Sequence, residues 1–285
     1  MRLEDIVAEN VEPRVVGSGY GFTEGPAADA EGNVYFSDGA NNSIYYYPFG
    51  QSVELFVNDS IDANGMMLNH RGELYVCEGA AYRVVALDLR TKRKRVLCSD
   101  FEGLRFNEPN DLAIDADDGF YFSDPNYQHR GQPTVRPQNV YYCSARGEVS
   151  CVSTICFKPN GVLLSEDGAT LYIADARGQR IYRYDVLGPG RLAGERIWID
   201  QLGANPDGLT LDEHQNLYVC CGKGGLRIFD AQGSPVGRLD LHAANACFGG
   251  PDFTTLMVAS ADKFLAIPTR VVGIKPPAWH AARSG

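Results

Sequence analysis

The 285-residue sequence predicts an all-β fold, a six-bladed β-propeller, and three repeating patterns support this prediction. A strand signature recurs six times, a polar turn precedes most copies, and an oxygen-bearing side chain lies ten or eleven residues before each copy. Repeats of about 40 to 50 residues built from several short strands are typical of propeller blades. The six signatures are VYFSD (34–38), LYVCE (74–78), FYFSD (120–124), LYIAD (171–175), LYVCC (217–221) and LMVAS (256–260).

The strand signatures recur at regular intervals when they are aligned on their second residue. The spacings are 40, 46, 51, 46 and 39 residues, between Tyr35, Tyr75, Tyr121, Tyr172, Tyr218 and Met257. Turns such as DAEGN (29–33) and DADDG (115–119) precede the signatures, and a second strand such as NSIYYYPF (42–49) follows them. No segment keeps a 3.6-residue apolar period, so we expect no long helix.

The sixth repeat is the most degenerate, and a propeller often completes its last blade with a strand from the other terminus. We therefore expect residues 12–17 (EPRVVG) to close the ring. The repeats extend over most of the chain, so we expect one domain over residues 1–285. The Pro-rich, polar segment 125–139 is predicted to be a loop over one face of the ring.

Composition and charge exclude several classes of protein. The chain is 44% apolar and 22% charged, which suits a globular core, and its net charge of −10 argues against a nucleic-acid partner. The basic run 92–95 fits a solvated hairpin turn. No apolar run is long enough to span a membrane, so we expect no membrane partner. The N-terminal residues are too acidic and polar for a secretory signal, and the eight cysteines show no disulfide or zinc spacing, so we expect a cytoplasmic protein with free thiols.

The polar residues before the signature strands should converge if the repeats close into a ring. They are Glu24, Asn64, Asn110, Asn160, Asp207 and, more weakly, Asn245. A Gly follows most of them and permits a sharp turn. Their donor atoms are all oxygen, which selects hard cations, so we predict a metal-binding central channel that holds Ca²⁺, with Mg²⁺ or Mn²⁺ as alternatives. Two buried carboxylates would balance a divalent charge and would be costly without one.

Each of these positions taken alone is more commonly structural, because Asn-Gly and Asp-Gly are frequent turn dipeptides. The functional interpretation depends on their recurrence at one repeat position. A turn would not need Glu in the first repeat and Asp in the fifth. The recurrence therefore favours a shared binding site.

These segments resemble the family of six-bladed propellers that includes senescence marker protein, gluconolactonase and luciferin-regenerating enzyme. NEPND (107–111) followed by SDPNY (123–127) is similar to the bacterial gluconolactonase branch. The resemblance covers most of the chain, in the right order. The other matching segments are FTEGPA (22–27), ANGMMLNHRGELYVCE (63–78), KPNGVLLSEDGATLYIAD (158–175), NPDGLTLDEHQNLYVCCGKGGLRIFD (205–230) and NACFGGPD (245–252).

The resemblance implies one divalent metal, usually calcium or zinc, held by Glu24, Asn160 and Asp207, with Asn110 on the substrate side. The chain departs from the common family pattern at two places. The third-blade motif reads DPNYQHRGQP instead of DPPYG, and the frequent Glu-His-Gly is replaced by Glu78-Gly79-Ala80. The first departure leaves the identity of the substrate open.

We therefore expect hydrolysis of a cyclic ester, a sugar lactone, with the metal polarising its carbonyl group. Asp207 is the predicted general base, Asn110 would orient the substrate and Asn64 would line the site. Asp111 is expected to hold the Asn110 loop or to support a neighbouring ligand from behind. The candidates for recognition of substrate hydroxyls are Arg105, Glu108, Tyr127 and His129.

Three alternative functions remain open at the level of sequence. The same metal would polarise the P=O bond of a phosphotriester, and the altered 125–139 loop is compatible with a repurposed propeller enzyme that acts on an unusual substrate. A propeller that binds a ligand without turnover, or that holds a purely structural calcium, is the third alternative. A serine hydrolase has little support, because the sequence has no GxSxG motif.

Overall fold

A computed structural model describes residues 1–9, 11–128 and 131–279. The described chain begins with the four-residue helix α1 (Leu3–Ile6) and the strand β1 (Arg14–Ser18). Six four-stranded antiparallel sheets follow, each formed by consecutive strands except the last, which β1 completes. This arrangement confirms the predicted all-β, six-bladed propeller.

The first three blades are each built from four strands that follow one another along the chain. The first blade contains β2 (Thr23–Ala28), β3 (Val34–Asp38), β4 (Ser43–Tyr47) and β5 (Glu54–Val57). The second contains β6 (Ala63–Leu68), β7 (Glu73–Glu78), β8 (Arg83–Asp88) and β9 (Lys94–Cys98). A two-stranded hairpin, β10 (Asp100–Phe101) and β11 (Leu104–Arg105), precedes the third blade. That blade contains β12 (Leu112–Ile114), β13 (Phe120–Ser123), β14 (Val140–Cys143) and β15 (Val149–Ser153).

The last three blades repeat the same plan. The fourth contains β16 (Pro159–Leu164), β17 (Thr170–Asp175), β18 (Arg180–Gly188) and β19 (Arg191–Ile199). The fifth contains β20 (Leu209–Leu211), β21 (Leu217–Cys220), β22 (Leu226–Phe229) and β23 (Pro235–Leu239). The sixth contains β24 (Asn245–Gly249), β25 (Thr255–Ser260) and β26 (Lys263–Pro268), with β1 as its outer strand.

The innermost strands close a complete ring around the axis. They contact one another in the order β2, β6, β12, β16, β20, β24 and again β2. The outer strand β1 pairs with β26, with Arg14 opposite Ala266 and Ser18 opposite Lys263. The expected closing segment 12–17 is thus confirmed, and the observed strand lies slightly later in the chain.

Large aromatic side chains hold neighbouring blades together. Phe36 of the first blade stacks on Phe264 of the sixth, with ring centroids 4.1 Å apart. Tyr75 of the second blade meets Phe120 of the third edge-to-face at 5.5 Å. The signature strands are almost fully buried because both of their faces pack against adjacent sheets. Burying one such ring stabilises the fold by roughly 2–3 kcal/mol.

The two ends of the inner strands differ in character. At their far ends, apolar side chains surround a small cavity that the C-terminal segment Ile274–Trp279 covers. There the indole N–H of Trp279 donates to the Leu68 carbonyl at 3.2 Å. The other end opens as a polar cleft. Within the described ranges, no helix is both long and apolar enough to cross a membrane.

Candidate active site

The repeated polar residues all lie where the inner strands begin. Glu24, Asn64 and Asn160 are each the second residue of an inner strand. Asn110 and Asp207 lie two residues before β12 and β20. Because the inner strands surround one axis, this common position brings the side chains to one end of the channel.

The glycines that follow these residues let neighbouring inner strands approach closely. A Cβ atom on Gly161 would lie 2.3 Å from the Asp207 carbonyl oxygen, to which the Gly161 N–H donates at 3.2 Å. A Cβ on Gly25 would lie 2.0 Å from the Asn64 carbonyl oxygen. Gly25 has a positive φ of 48°, which fits the expected sharp turn, but Gly161 does not. Close contact between blades is therefore the reason for the glycine at the fourth blade.

The aspartate that ends three signature strands braces the segment before the polar residue. Asp38 accepts hydrogen bonds from the N–H groups of Gly21 and Phe22 at 3.0–3.1 Å. Asp124 and Asp175 do the same in their blades. The donors are Asn107 and Glu108 for Asp124, at 2.9 and 3.0 Å, and Phe157 and Lys158 for Asp175, both at 3.0 Å.

In all three blades the donors are the residues three and two positions before the repeated polar residue, Glu24, Asn110 or Asn160. The braces therefore fix the backbone from which these site residues project. We did not predict this role, although the recurring Asp in FSD, FSD and IAD carries its signal.

Glu24 and Asp207 form a pair of carboxyl groups, and the negative charge of Asp207 acts on Glu24. Glu24 is only 4% exposed, and its Oε2 accepts the Gly25 N–H at 2.8 Å. Burial raises the pKa of Glu24 well above its ordinary value, and the nearby Asp207 raises it further. Burial and Asp111 raise the pKa of Asp207 to about 7, although a hydrogen bond from Asn160 opposes this shift. Both groups would ionise readily beside a cation.

Asn160 is held by two neighbours. Its Nδ2 donates to the Tyr127 hydroxyl at 2.7 Å, and its side chain also hydrogen-bonds to Asp207. This arrangement leaves the amide oxygen of Asn160 available to a ligand. Asn245 of the sixth blade hydrogen-bonds to Glu24, so this weakest of the repeated positions supports a carboxylate of the pair.

Asp111 lies behind the cleft and connects two blades. Its two carboxylate oxygens accept the backbone N–H groups of Leu112 at 3.0 Å and Val162 at 3.2 Å. Burial raises the pKa of Asp111 to about 7. This geometry agrees with a supporting position and joins the start of β12 to β16.

A cavity of about 870 Å³ opens at this end of the channel. It brings together six of the predicted site residues, which are Glu24, Asn64, Asn110, Tyr127, Asn160 and Asp207. A side chamber of about 460 Å³ continues from Glu24 and Asn64 past Phe22 towards Asp62. The cleft is therefore large enough for a small cyclic molecule.

Two of the three remaining candidates for substrate recognition lie away from the cleft, and the third lies outside the described residues. The Arg105 guanidinium covers the Tyr82 ring at 3.8 Å and donates to the Phe106 carbonyl at 2.6 Å. Glu108 is buried and accepts the Tyr127 backbone N–H at 2.7 Å. Neither lines the cleft. His129 lies outside the described residues.

Three cations line the cleft that we did not select from the sequence, namely Lys158, Arg177 and Lys223. Arg177 and Lys223 each follow the second residue of a signature strand by five positions, so the repeat itself contains the signal for them. Lys158 precedes Asn160 by two residues and lies on one of the braced segments.

The side-chain oxygens of Glu24, Asn160 and Asp207 fit a hard divalent cation. The two carboxylates carry raised pKa values because they are buried close together, and a cation would relieve that cost. Across residues 1–9, 11–128 and 131–279, no group of three or more His, Cys, Asp or Glu side chains is placed to hold a metal. A site here would therefore combine two carboxylates with an amide oxygen, which suits Ca²⁺ better than a metal that prefers nitrogen or sulfur.

Comparisons with known proteins agree with this architecture. A family model described as "SMP-30/Gluconolactonase/LRE-like region" matches residues 22–262. A gluconolactonase from Zymomonas mobilis is 26% identical, and the alignment covers 95% of this chain and 85% of that protein.

Two solved structures share the fold over nearly the whole chain. One is a putative gluconolactonase, with a TM-score of 0.87 and 26% identity, covering 96% of this chain and 98% of that one. The other is regucalcin from Agrobacterium tumefaciens, described as a calcium-binding protein, with a TM-score of 0.80 and 17% identity. It covers 94% of this chain and 97% of that one, and at this identity it supports the fold alone.

Proposed function

Because the chain belongs to the SMP-30/gluconolactonase/LRE-like family, we propose that it is a lactone hydrolase that opens a sugar lactone with one bound divalent cation. The observation that carries this proposal is the pair of carboxyl groups Glu24 and Asp207, placed beside Asn160 in an open cleft. A carboxyl pair of this kind is unfavourable in a protein that binds nothing charged.

Glu24, Asn160 and Asp207 would hold the cation, which we take to be Ca²⁺ from the all-oxygen donor set. Mg²⁺, Mn²⁺ and Zn²⁺ are the alternatives. A divalent ion supplies Lewis-acid polarisation of an ester carbonyl. The choice of Ca²⁺ rests on the donor atoms of this chain and not on the calcium-binding relative.

Asp207 acts as the general base in this proposal. Its residue remains partly open to the cleft, so the carboxylate can accept a proton from the attacking water. The water oxygen bonds to the carbonyl carbon, and the bond between that carbon and the ring oxygen then breaks. Asp207 returns the proton to the departing ring oxygen, which leaves the open hydroxy acid.

The amide side chains of Asn110 and Asn64 lie on the cleft wall and would orient the lactone and its hydroxyl groups. Tyr127 fixes the amide of Asn160 through its hydroxyl group. Asp111 keeps the inner strands of the third and fourth blades together behind these residues. The eight free cysteines favour a reducing compartment, and we place the enzyme in the cytoplasm.

Isosteric neutralisation of the carboxyl pair tests this proposal. We expect Glu24→Gln and Asp207→Asn each to lower kcat/KM for D-glucono-1,5-lactone by at least about 100-fold, because charge stabilisation at the carbonyl is lost. Both variants should also lose calorimetric Ca²⁺ binding. Asp252→Asn, an identical change at an exposed residue that lines neither the cleft nor its side chamber, should alter neither value. Full activity in either cleft variant would refute the proposal.

A further inference from the structure

One wall of the cleft is cationic, although the chain as a whole is strongly acidic. Lys158 precedes β16, Arg177 follows β17 and Lys223 follows β21, so all three come from the fourth and fifth blades. The facing walls of the cleft and its side chamber carry Phe22 and Ala40 instead. The positive charge of the cleft therefore lies on one wall.

The repeat shows that this wall is specific to two blades. Arg177 and Lys223 occupy the fifth position after Tyr172 and Tyr218. The same position in the first two blades holds Ala40 and Ala80, and in the sixth it holds Asp262. Equivalent positions in a propeller lie at equivalent points of the ring. The cations thus occur only where the ring borders Asn160 and Asp207.

The three cations have no direct ion-pair partner in the described part of the chain. Elsewhere on the ring, by contrast, Arg83 and Lys94 both pair with the buried Glu78. Arg177 and Lys223 are exposed to the cleft. The Lys158 ammonium lies 4.4 Å above the Tyr127 ring, a contact that holds the charge in place without cancelling it.

This wall gives the cleft a preference among ligands. At a net charge of −10 the protein repels anions at long range, so an anionic ligand needs a local positive field to enter. A divalent ion on Glu24 and Asp207 would neutralise that pair and leave the three cations unopposed. A neutral sugar lactone needs no such wall.

We propose that the cleft binds an anionic ligand. The substrate is a lactone that carries a carboxylate or a phosphate group away from its ester carbonyl. This substrate class rests on the proposed lactone hydrolase function. The anionic group would contact Lys158, Arg177 and Lys223 while the ester carbonyl lies towards Glu24 and Asp207.

The experiment compares three lactones on the metal-loaded enzyme: D-glucono-1,5-lactone, its 6-phosphate and an aldaric acid monolactone. We expect kcat/KM for at least one anionic lactone to exceed that for the neutral lactone by about tenfold or more, as charge-assisted contacts would give. The phosphate and carboxylate substrates distinguish the two sources of negative charge. Added salt should reduce this preference.

Variants of the wall test whether these cations cause the preference. Lys158→Met and Lys223→Met should each lower the ratio of anionic to neutral kcat/KM by about tenfold. Lys275→Met is the matched control, because the Lys275 ammonium also lies over an aromatic side chain, 5.6 Å from the ring centroid of Phe253. Lys275 belongs to the segment Ile274–Trp279, at the other end of the channel. The control should keep the wild-type ratio. Loss of the preference for anionic lactones in Lys275→Met would show a general charge effect and overturn the proposal.

A binding measurement separates this inference from the proposed function. Calorimetry with gluconate and 6-phosphogluconate, the ring-opened acids, needs no turnover. Hydrolysis of the neutral lactone without any preference for the anionic ones would overturn the inference and leave the function standing. Absence of turnover on every lactone, with tighter binding of 6-phosphogluconate that depends on Lys158, would overturn the function and leave the cationic wall standing.

Discussion

At the scale of single residues, Glu24 and Asp207 keep a carboxyl pair in a place where ionisation is unfavourable. The pKa of Asp207 is raised to about 7 from an ordinary value near 3.8. Ionisation of Asp207 therefore costs more in the folded protein than in the unfolded chain. That cost grows as pH rises from about 4 to about 7 and stays constant above, so the metal-free protein loses stability over this range.

The predicted loss of stability with rising pH can be tested by substitution of Asp207. In the metal-free protein at pH 8, Asp207→Asn should raise the free energy of unfolding by roughly 2 kcal/mol, because it removes the buried charge. At pH 4, where Asp207 is largely protonated, the two proteins should be close in stability. Thermal unfolding with a chelator at both pH values measures this. Added Ca²⁺ should stabilise the wild type and not the variant, and a variant that is less stable at pH 8 would contradict the account.

The sequence predicts the positions of the repeated residues better than those of the isolated ones. Glu24, Asn110 and Asn160 occupy equivalent places because their blades are equivalent. Arg105 and Glu108 have no such constraint, and local contacts direct them to the Tyr82 ring and to the Tyr127 backbone. Contacts of this kind depend on how loops fold over one another, which repeat spacing does not encode.

At the scale of the blade, the strand-end aspartates connect the fold to the site. Asp175 is fully buried, ends β17 and accepts two backbone N–H bonds from the segment that leads to Asn160. The same brace recurs at Asp38 and Asp124, but the second blade has Glu78, which pairs with Arg83 and Lys94 instead. The brace is therefore a property of particular blades.

Removing one brace should loosen the site without opening the ring. We expect Asp175→Ala to weaken Ca²⁺ binding by about 10- to 100-fold, because the segment carrying Asn160 loses its support. Calorimetric titration measures the affinity. Asp230→Ala is the matched control, because Asp230 also accepts two backbone N–H bonds, from Gln232 and Ser234, in a hairpin turn far from the cleft. Equal Ca²⁺ affinity in both variants would refute a special role for Asp175.

Some elements carry no repeat signal and were not predicted. The hairpin of β10 and β11, the nine-residue length of β18 and β19, and the segment Ile274–Trp279 are departures from the common blade. They are held by contacts between distant parts of the chain, such as the bond from Trp279 to Leu68. A pattern of short strands and turns cannot specify such contacts.

At the scale of the whole molecule, the ring depends on β1. This strand supplies the outer edge of the sixth blade, and Ile6 just before it is fully buried. Deletion of residues 1–18 should lower the melting temperature by at least about 10 °C and promote association, because β26 becomes an open edge. Calorimetry and size-exclusion chromatography measure both effects. Val15→Thr, which keeps the backbone pairing of an exposed residue, should have little effect. An unchanged melting temperature after deletion would contradict this role.

Ring closure was predictable because the sixth repeat lacks a strand and the first residues supply one. The difference between the two ends of the channel was not, since it depends on the C-terminal segment Ile274–Trp279, which lines the cavity at the other end. At the open end the carboxyl pair, the amides and the cleft come together, and there we propose metal-dependent lactone hydrolysis.

The most direct test of this claim is lactone hydrolysis by chelator-treated protein, before and after Ca²⁺, Mg²⁺, Mn²⁺ or Zn²⁺ is added separately. We predict that D-glucono-1,5-lactone and its anionic relatives are hydrolysed only with added metal, and that Ca²⁺ restores turnover best. Hydrolysis that persists in protein shown to be free of metal would contradict a metal-dependent mechanism. Bound Ca²⁺ without turnover of any lactone would contradict the proposed reaction.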